Sequence, residues 1–133
     1  KFRTMKKNTP DIPTHLMEKN KNVYTIIGPF LRKLSLDEIP QLINILRGEM
    51  VFIGPRPALY NQSDLIKSRT AKGIEKLMPG ITGWAQINGR DNLTIEQKVN
   101  LDHYYLQNKS LFLDIRIMLL TIIKVFRTDD ISN

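Results

Sequence analysis

The feature that most limits the fold is a long apolar segment near the C-terminal end, "SLFLDIRIMLLTIIKVF", residues 110–126. Asp114, Arg116 and Lys124 interrupt it, so it falls short of the roughly 18 uninterrupted apolar residues that a bilayer-spanning helix needs. A helix that is apolar on nearly all sides is either buried in a core or lies in a membrane interface. Both alternatives stay open, and the second would present six residues to lipid: Phe112, Ile115, Met118, Leu119, Ile122 and Phe126.

Proline and glycine divide the rest of the chain into short segments. Residues 6–22 are polar and contain two prolines, which favours a loop. The dipeptides at 79–80 (Pro-Gly) and 88–89 (Asn-Gly) are typical of turns, and the run between them predicts a small hairpin. On this interpretation Gly80 and Gly83 serve only to form turns.

Helical patterns occupy most of what remains. The sequence predicts helices that begin at Pro29, span about 62–77 and span 94–108, the last with the capping-box pair Thr94 and Gln97. Short strands are expected at 1–5 and just before Gly54. We therefore expect a mainly α fold with minor β (α+β), and the length of 133 residues fits a single domain over 1–133.

The charge balance indicates an anionic partner. Twenty basic and thirteen acidic residues give a net charge of +7, which suits nucleic acid, an anionic membrane surface or a phosphate-bearing substrate. The absence of cysteine excludes disulfides and thiolate zinc sites. Basic residues are dispersed and stacking aromatic residues are few, so a specific nucleic-acid module, or a non-catalytic basic module at the membrane surface, is only the alternative interpretation.

Two adjacent carboxylates, Asp37 and Glu38, stand in the segment "RKLSLDEIPQLINILRGEM", residues 32–50. One interpretation is structural: Ser35 and Glu38 have the spacing of a capping box at a helix start. Pro40 complicates that start, because with Ser35 as the cap it would be the fifth helical residue, whereas with Asp37 as the cap it would fall in the first turn. The other interpretation is chemical: an ionised carboxylate can attack phosphorus while its neighbour holds a divalent metal.

Four longer motifs give the chain a resemblance to a known family. In order they are "KFRTM", "LRKLSLDEIPQLINILRGEMVFIGPRPAL", "PGITGWAQINGR" and "LDHYY". From Lys1 to about Phe126 the chain resembles the bacterial sugar transferases of exopolysaccharide and capsule synthesis, the monotopic phosphoglycosyl transferases. Such proteins carry a hydrophobic membrane segment ahead of "KFRTM". We therefore expect this chain to be the catalytic domain without that segment.

The resemblance implies a reaction and a place in the cell. Such enzymes transfer a sugar-1-phosphate from a UDP-sugar to undecaprenyl phosphate and release UMP, at the cytoplasmic face of the bacterial inner membrane. By the resemblance, Asp37 is the nucleophile that forms a phosphosugar-enzyme intermediate. Glu38, together with Asp37, is expected to bind Mg²⁺. No residue of the sequence indicates which sugar is carried.

The resemblance and the excess of cations also predict phosphate-binding residues. Arg32 and Arg56 are the first candidates, since a guanidinium can donate two parallel hydrogen bonds to phosphate oxygens. Further candidates are Lys1, Arg3 and Arg90.

The acidic residues Asp102 and Asp114 are secondary candidates for the site. Pairing with an arginine is the favoured interpretation for each of them. An exposed apolar face on the last helix would contact the membrane or, as an alternative, a second copy of the chain.

Overall fold

The computed structural model describes residues 1–7, 9, 23–89 and 92–126. Its elements in chain order are helix α1 (Gly28–Lys33), helix α2 (Gln41–Leu46), strand β1 (Val51–Ile53), helix α3 (Ser63–Ala71), strand β2 (Gly80–Thr82), helix α4 (Trp84–Ile87), helix α5 (Ile95–Asn108) and helix α6 (Leu111–Phe126). Two 3₁₀ turns, Leu36–Glu38 and Ile74–Lys76, complete the described elements. The mainly α architecture with minor β is confirmed.

The two strands form a parallel pair, with Val51 opposite Gly80 and Ile53 opposite Thr82. The predicted hairpin is therefore wrong. Only its first half is a strand, which pairs with an earlier segment of the chain, while its second half forms α4. The turn dipeptides describe local preference alone, and pairing with a distant strand overrides that preference.

Close backbone contact explains this pairing better than turn formation does. A Cβ atom on Gly80 would lie 2.2 Å from the backbone nitrogen of Gly54, and one on Gly83 would lie 2.2 Å from the Gly54 oxygen. Gly83 has an extended backbone with φ −177°, which any residue can adopt. These two glycines are thus required because their backbones touch that of Gly54, and their interpretation as turn formers was wrong.

The core consists of two adjoining apolar clusters. The first contains Ile53 of β1, Ile87 of α4, Tyr105 of α5, and Leu113 and Ile117 of α6. The second contains Leu65, Ile74 and Val99, and it joins α3 to α5. Leu77 packs against both clusters, so the strands and the long helices share one continuous apolar interior.

Helix α6 has one buried and one exposed apolar side. Leu113 and Ile117 are buried in the core, as the first alternative required. The opposite side of the helix stays exposed, with these residues at its surface: Leu111, Phe112, Ile115, Met118, Leu119, Ile122 and Ile123. The side chain of Phe126 lies outside the described part of the structure. No helix among the described residues combines the length and the apolar character needed to cross a membrane.

The remaining local predictions have mixed outcomes. The helix predicted from Pro29 and the helix over 94–108 are confirmed as α1 and α5, and both halves of the Thr94–Gln97 capping box are formed. The helix predicted over 62–77 ends at Ala71, because Gly73 adopts φ +68°. The strand predicted at 1–5 is wrong, since these residues make only one isolated bridge, at Met5. Most of the 6–22 loop lies outside the described residues.

Candidate active site

The acidic pair lies on the 3₁₀ turn Leu36–Glu38, directly after α1. Ser35 adopts φ +55°, ψ 20°, and its N–H donates to the Arg32 oxygen at 3.1 Å, so it ends α1 in the left-handed conformation. Its side chain makes no capping hydrogen bond, and the predicted capping box is wrong. The next helix begins only at Gln41, where Pro40 is tolerated as its N-cap.

Asp37 is covered by the start of the chain. Only 3% of its surface is exposed. Its carbonyl oxygen accepts a hydrogen bond from the Phe2 N–H at 2.8 Å, and the Lys1 Nζ lies 3.3 Å from its Oδ2. The carboxylate therefore faces an ammonium group whose side chain is itself partly exposed, and an anion approaching from solvent would meet that ammonium first.

Glu38 faces a second cation. Arg56 Nη1 donates to Glu38 Oε1 at 3.1 Å, and about half of the arginine side chain is exposed, at 49%. Arg56 stands in the segment that leaves the carboxyl end of β1, between Pro55 and Pro57. The carboxyl ends of parallel strands are the usual place for ligands in α/β structures.

The two ion pairs are neighbours because Asp37 and Glu38 are adjacent in the chain. Two carboxylates and two partly exposed cations are thereby brought into one small region, although Lys1 and Arg56 are 55 positions apart in the chain. Such a group can attract the negative phosphates of a ligand, and the buried Asp37 carboxylate becomes accessible when Lys1 moves aside.

The other cations predicted for the site have different positions. Arg32 Nε donates to Thr4 Oγ1 at 2.9 Å and its Nη1 donates to the Tyr24 hydroxyl at 3.2 Å, so this guanidinium fastens the N-terminal segment. Its role as a phosphate ligand stays a prediction. Arg3 is exposed, and Arg90 lies outside the described residues.

The two secondary acidic candidates, Asp102 on α5 and Asp114 on α6, accept hydrogen bonds from other side chains. Asp102, 1% exposed, accepts from Arg69 Nη2 at 2.6 Å and from Arg69 Nε at 3.0 Å, which confirms the predicted pairing with an arginine. Asp114 instead accepts from the Tyr105 hydroxyl at 2.7 Å. Burial raises the pKa of Asp102 above its ordinary value, against the opposing effect of Arg69. Burial and the bond to Asp114 raise the pKa of Tyr105.

Arg69 is the residue of this region that sequence reasoning missed. It lies on α3, between the motif that ends at Leu59 and the motif that begins at Pro79, and a single arginine on a polar helix carries no local signal. Only the tertiary contact between α3 and α5 shows its partner.

Asp37 and Glu38 are the carboxylates of this region that could contact a metal ion. No group of three or more His, Cys, Asp or Glu residues within 1–7, 9, 23–89 and 92–126 could hold a metal. Mg²⁺ in phosphate-transferring sites is bound by one or two carboxylates together with substrate phosphates. The carboxylate oxygens of Asp37 and Glu38 fit that pattern and do not form a complete metal cage.

Comparison with known proteins identifies the family. A family model described as bacterial sugar transferase matches residues 1–128. The chain belongs to the bacterial sugar transferase family.

Members of the bacterial sugar transferase family from several organisms resemble this chain. An uncharacterized sugar transferase, EpsL, of Bacillus subtilis is 43% identical over 99% of this chain and 64% of its own length. The exopolysaccharide production protein ExoY of Sinorhizobium fredii is 39% identical over 92% of this chain and 60% of its own. The UDP-glucose:undecaprenyl-phosphate glucose-1-phosphate transferase of Escherichia coli is 42% identical over 95% of this chain and 29% of its own. The chain thus spans less than two thirds of each of these relatives.

Proposed function

We propose that this protein transfers a sugar-1-phosphate from a UDP-sugar to undecaprenyl phosphate, through a phosphosugar ester on Asp37, and releases UMP. The observation that carries the proposal is the pair of neighbouring ion pairs, Lys1–Asp37 and Glu38–Arg56. The Escherichia coli relative, whose name states this reaction with glucose, supports the substrate class. Nucleotide-sugar chemistry also suits the net charge of +7.

The first half-reaction begins when the diphosphate meets the two cations. Lys1 and Arg56 turn from the carboxylates toward the phosphate oxygens, which screens the charge and exposes the Asp37 oxygen. That oxygen attacks the phosphorus that bears the sugar. A bond from Asp37 to phosphorus forms, the bond from this phosphorus to the bridging oxygen breaks, and UMP leaves with the bonding electrons.

The second half-reaction restores the carboxylate. An oxygen of the lipid phosphate attacks the same phosphorus, the bond to Asp37 breaks, and the polyprenyl diphosphate sugar leaves. Mg²⁺, held by Glu38 with Asp37 and by the substrate phosphates, would supply neutralisation of negative charge during both transfers. Glu38 contributes its oxygens as ligands and holds Arg56 in place until substrate arrives.

The acceptor requires that the site lie close to a bilayer. Apolar side chains exposed on both sides of the acidic turn support this requirement: Ile26, Ile27, Phe30, Leu34, Ile39, Leu42, Ile43 and Leu46. We propose that these residues and the open side of α6 contact the acyl boundary of the inner membrane at its cytoplasmic face, while basic side chains contact anionic headgroups. The alternative to membrane contact is that these same apolar surfaces associate with a second copy of the chain.

The proposal is tested by UMP release from the protein in lipid nanodiscs that contain undecaprenyl phosphate. A panel of UDP-sugars identifies the donor. Asp37→Asn is expected to lower the rate of UMP release by at least about 1,000-fold, because a carboxamide is not a comparable nucleophile. Asp64→Asn, which changes an exposed carboxylate at the start of α3, is the matched control and should keep full activity. Unchanged release by Asp37→Asn would refute the proposed role.

A further inference from the structure

The segment that carries Arg56 is fastened through carbonyl oxygens. Pro55 and Pro57 have no N–H groups, so this part of the chain offers few donors of its own. The Pro55 oxygen accepts from the Gly80 N–H at 2.9 Å, which attaches it to β2. The Arg56 oxygen accepts from Arg69 Nη1 at 2.8 Å, which attaches it to α3.

Asp102 fixes the direction of this second bond, which runs from Arg69 to the Arg56 oxygen. Arg69 gives two other N–H groups to one oxygen of Asp102, at 3.0 and 2.6 Å. Asp102 is nearly fully buried on α5, and the Arg69 side chain is only 13% exposed. Because a guanidinium is planar, two bonds to a buried carboxylate determine where its third nitrogen points.

A continuous series of contacts thus leads from α5 to the acidic pair. Asp102 orients Arg69, Arg69 holds the backbone of Arg56, and the side chain of Arg56 reaches Glu38 at 3.1 Å. We infer that Arg69 is a positioning residue that sets the place of the Arg56 guanidinium for diphosphate binding. This inference rests on the function proposed above and assigns Arg69 no contact with substrate.

A purely structural role is the competing explanation, because the Arg69–Asp102 pair also joins α3 to α5. A second link between the same two helices provides the matched comparison. Lys72 Nζ donates to Asn100 Oδ1, and within the described part of the chain neither side chain is hydrogen-bonded to the Arg56 segment. Lys72→Ala therefore removes a link between the helices without removing the bond to the Arg56 oxygen.

The test is a double-mutant cycle in nanodiscs between Arg69 and Arg56. Arg69→Lys keeps a positive charge beside Asp102 but cannot bond to both Asp102 and the Arg56 oxygen in the same geometry. We expect it to lower kcat/KM on the order of 30-fold, since a small displacement of a substrate-positioning group has effects of this size. In the Arg56→Ala background, Arg69→Lys should lower kcat/KM by about 3-fold or less, because the guanidinium that Arg69 positions is already absent. Lys72→Ala should leave kcat/KM unchanged in both the wild-type and the Arg56→Ala backgrounds.

Equal losses in both backgrounds would overturn the inference and leave only a link between helices. Asp102→Glu, which moves the carboxylate by one methylene, replaces Arg69→Lys in the cycle if that variant does not fold. It should likewise lower kcat/KM much more in the wild-type background than in the Arg56→Ala background. If the wild-type protein releases no UMP, the proposed function fails, and hydrogen exchange then decides the inference without substrate. Faster exchange at the amide of Gly80, whose N–H donates to the Pro55 oxygen, in Arg69→Lys, with α3 and α5 unchanged, would support positioning, whereas unchanged exchange would overturn it.

Discussion

The two halves of the candidate site are held in different ways. Arg56 is held from behind, because its segment is bonded to β2 and, through Arg69, to the buried Asp102. The acidic turn is held by the N-terminal segment, because Lys1 and Phe2 contact Asp37. One half is part of the folded interior, and the other is covered by a segment at the surface. We therefore expect the Arg56 backbone to stay in place while the N-terminal residues that cover Asp37 move aside for a substrate.

Substitution in the buried Arg69–Asp102 pair should lower the free energy of unfolding more than substitution elsewhere around the site. Asp102→Ala is expected to lower the free energy of unfolding by about 3 kcal/mol, because Arg69 would remain in a largely buried position without its counter-charge. Denaturation by urea measures the change. Lys72→Ala, an exposed partner on the same pair of helices, should lower it by less than about 0.5 kcal/mol. Equal effects of the two substitutions would show that the buried Arg69–Asp102 pair stabilises the protein no more than the exposed link between the same helices.

Close packing of β2 against Gly54 gives the next largest effect. Gly80→Ala is expected to cost about 2 kcal/mol, since the added methyl group overlaps backbone that cannot move freely. Gly48→Asn is the control, because Gly48 has φ +74° with open space around it and Asn tolerates that conformation. If Gly80→Ala were as stable as the wild type, the parallel pairing of β1 and β2 would be in doubt.

Substitution of Ser35 sharpens the comparison at the surface turn. Because Ser35 occupies the left-handed region, Ser35→Gly is expected to raise the free energy of unfolding by about 0.5–1 kcal/mol. A capping-box serine would give the opposite sign, because glycine there loses the side-chain acceptor. Thermal denaturation of the wild type, Ser35→Gly and Ser35→Ala decides between these outcomes.

The smallest effect on stability is expected at the cover of Asp37. Lys1→Ala should change the free energy of unfolding by less than about 0.5 kcal/mol, because removal of the partly exposed lysine side chain lets water reach the buried Asp37 carboxylate in place of the ammonium group. The same variant should raise the KM for the UDP-sugar, since a phosphate-binding cation is lost. A normal KM together with a large loss of stability would show that Lys1 is part of the fold and not of the binding site.

The sequence predicted which distant residues lie together better than it predicted the local structure. The motifs brought Asp37, Glu38, Arg56 and Lys1 into one hypothesis, and these residues do lie together. The capping box at Ser35 failed because the spacing of side chains does not reveal that the backbone turns left-handed there. The hairpin failed because turn dipeptides contain no information about a distant strand partner.

Residues that act through tertiary contacts were the hardest to predict. Asp102 was noticed because of its place in the motif "LDHYY", but its partner Arg69 lies in a helix without any motif. Arg32 lies inside a motif, and its nitrogens bond to Thr4 and Tyr24, contacts that the motif did not indicate; its role at phosphate stays a prediction. A motif indicates that a side chain matters, and only the fold shows whether it contacts a ligand or another part of the chain.

The most direct test of the account is to look for the ester on Asp37. The protein in nanodiscs without undecaprenyl phosphate is incubated with the UDP-sugar and Mg²⁺, digested rapidly at low temperature and analysed by mass spectrometry. The account predicts that the mass of one sugar phosphate is added to the peptide that contains Asp37, that it disappears when undecaprenyl phosphate is supplied, and that Asp37→Asn never acquires it. Release of UMP in the first turnover with an unmodified Asp37 peptide would contradict the central claim.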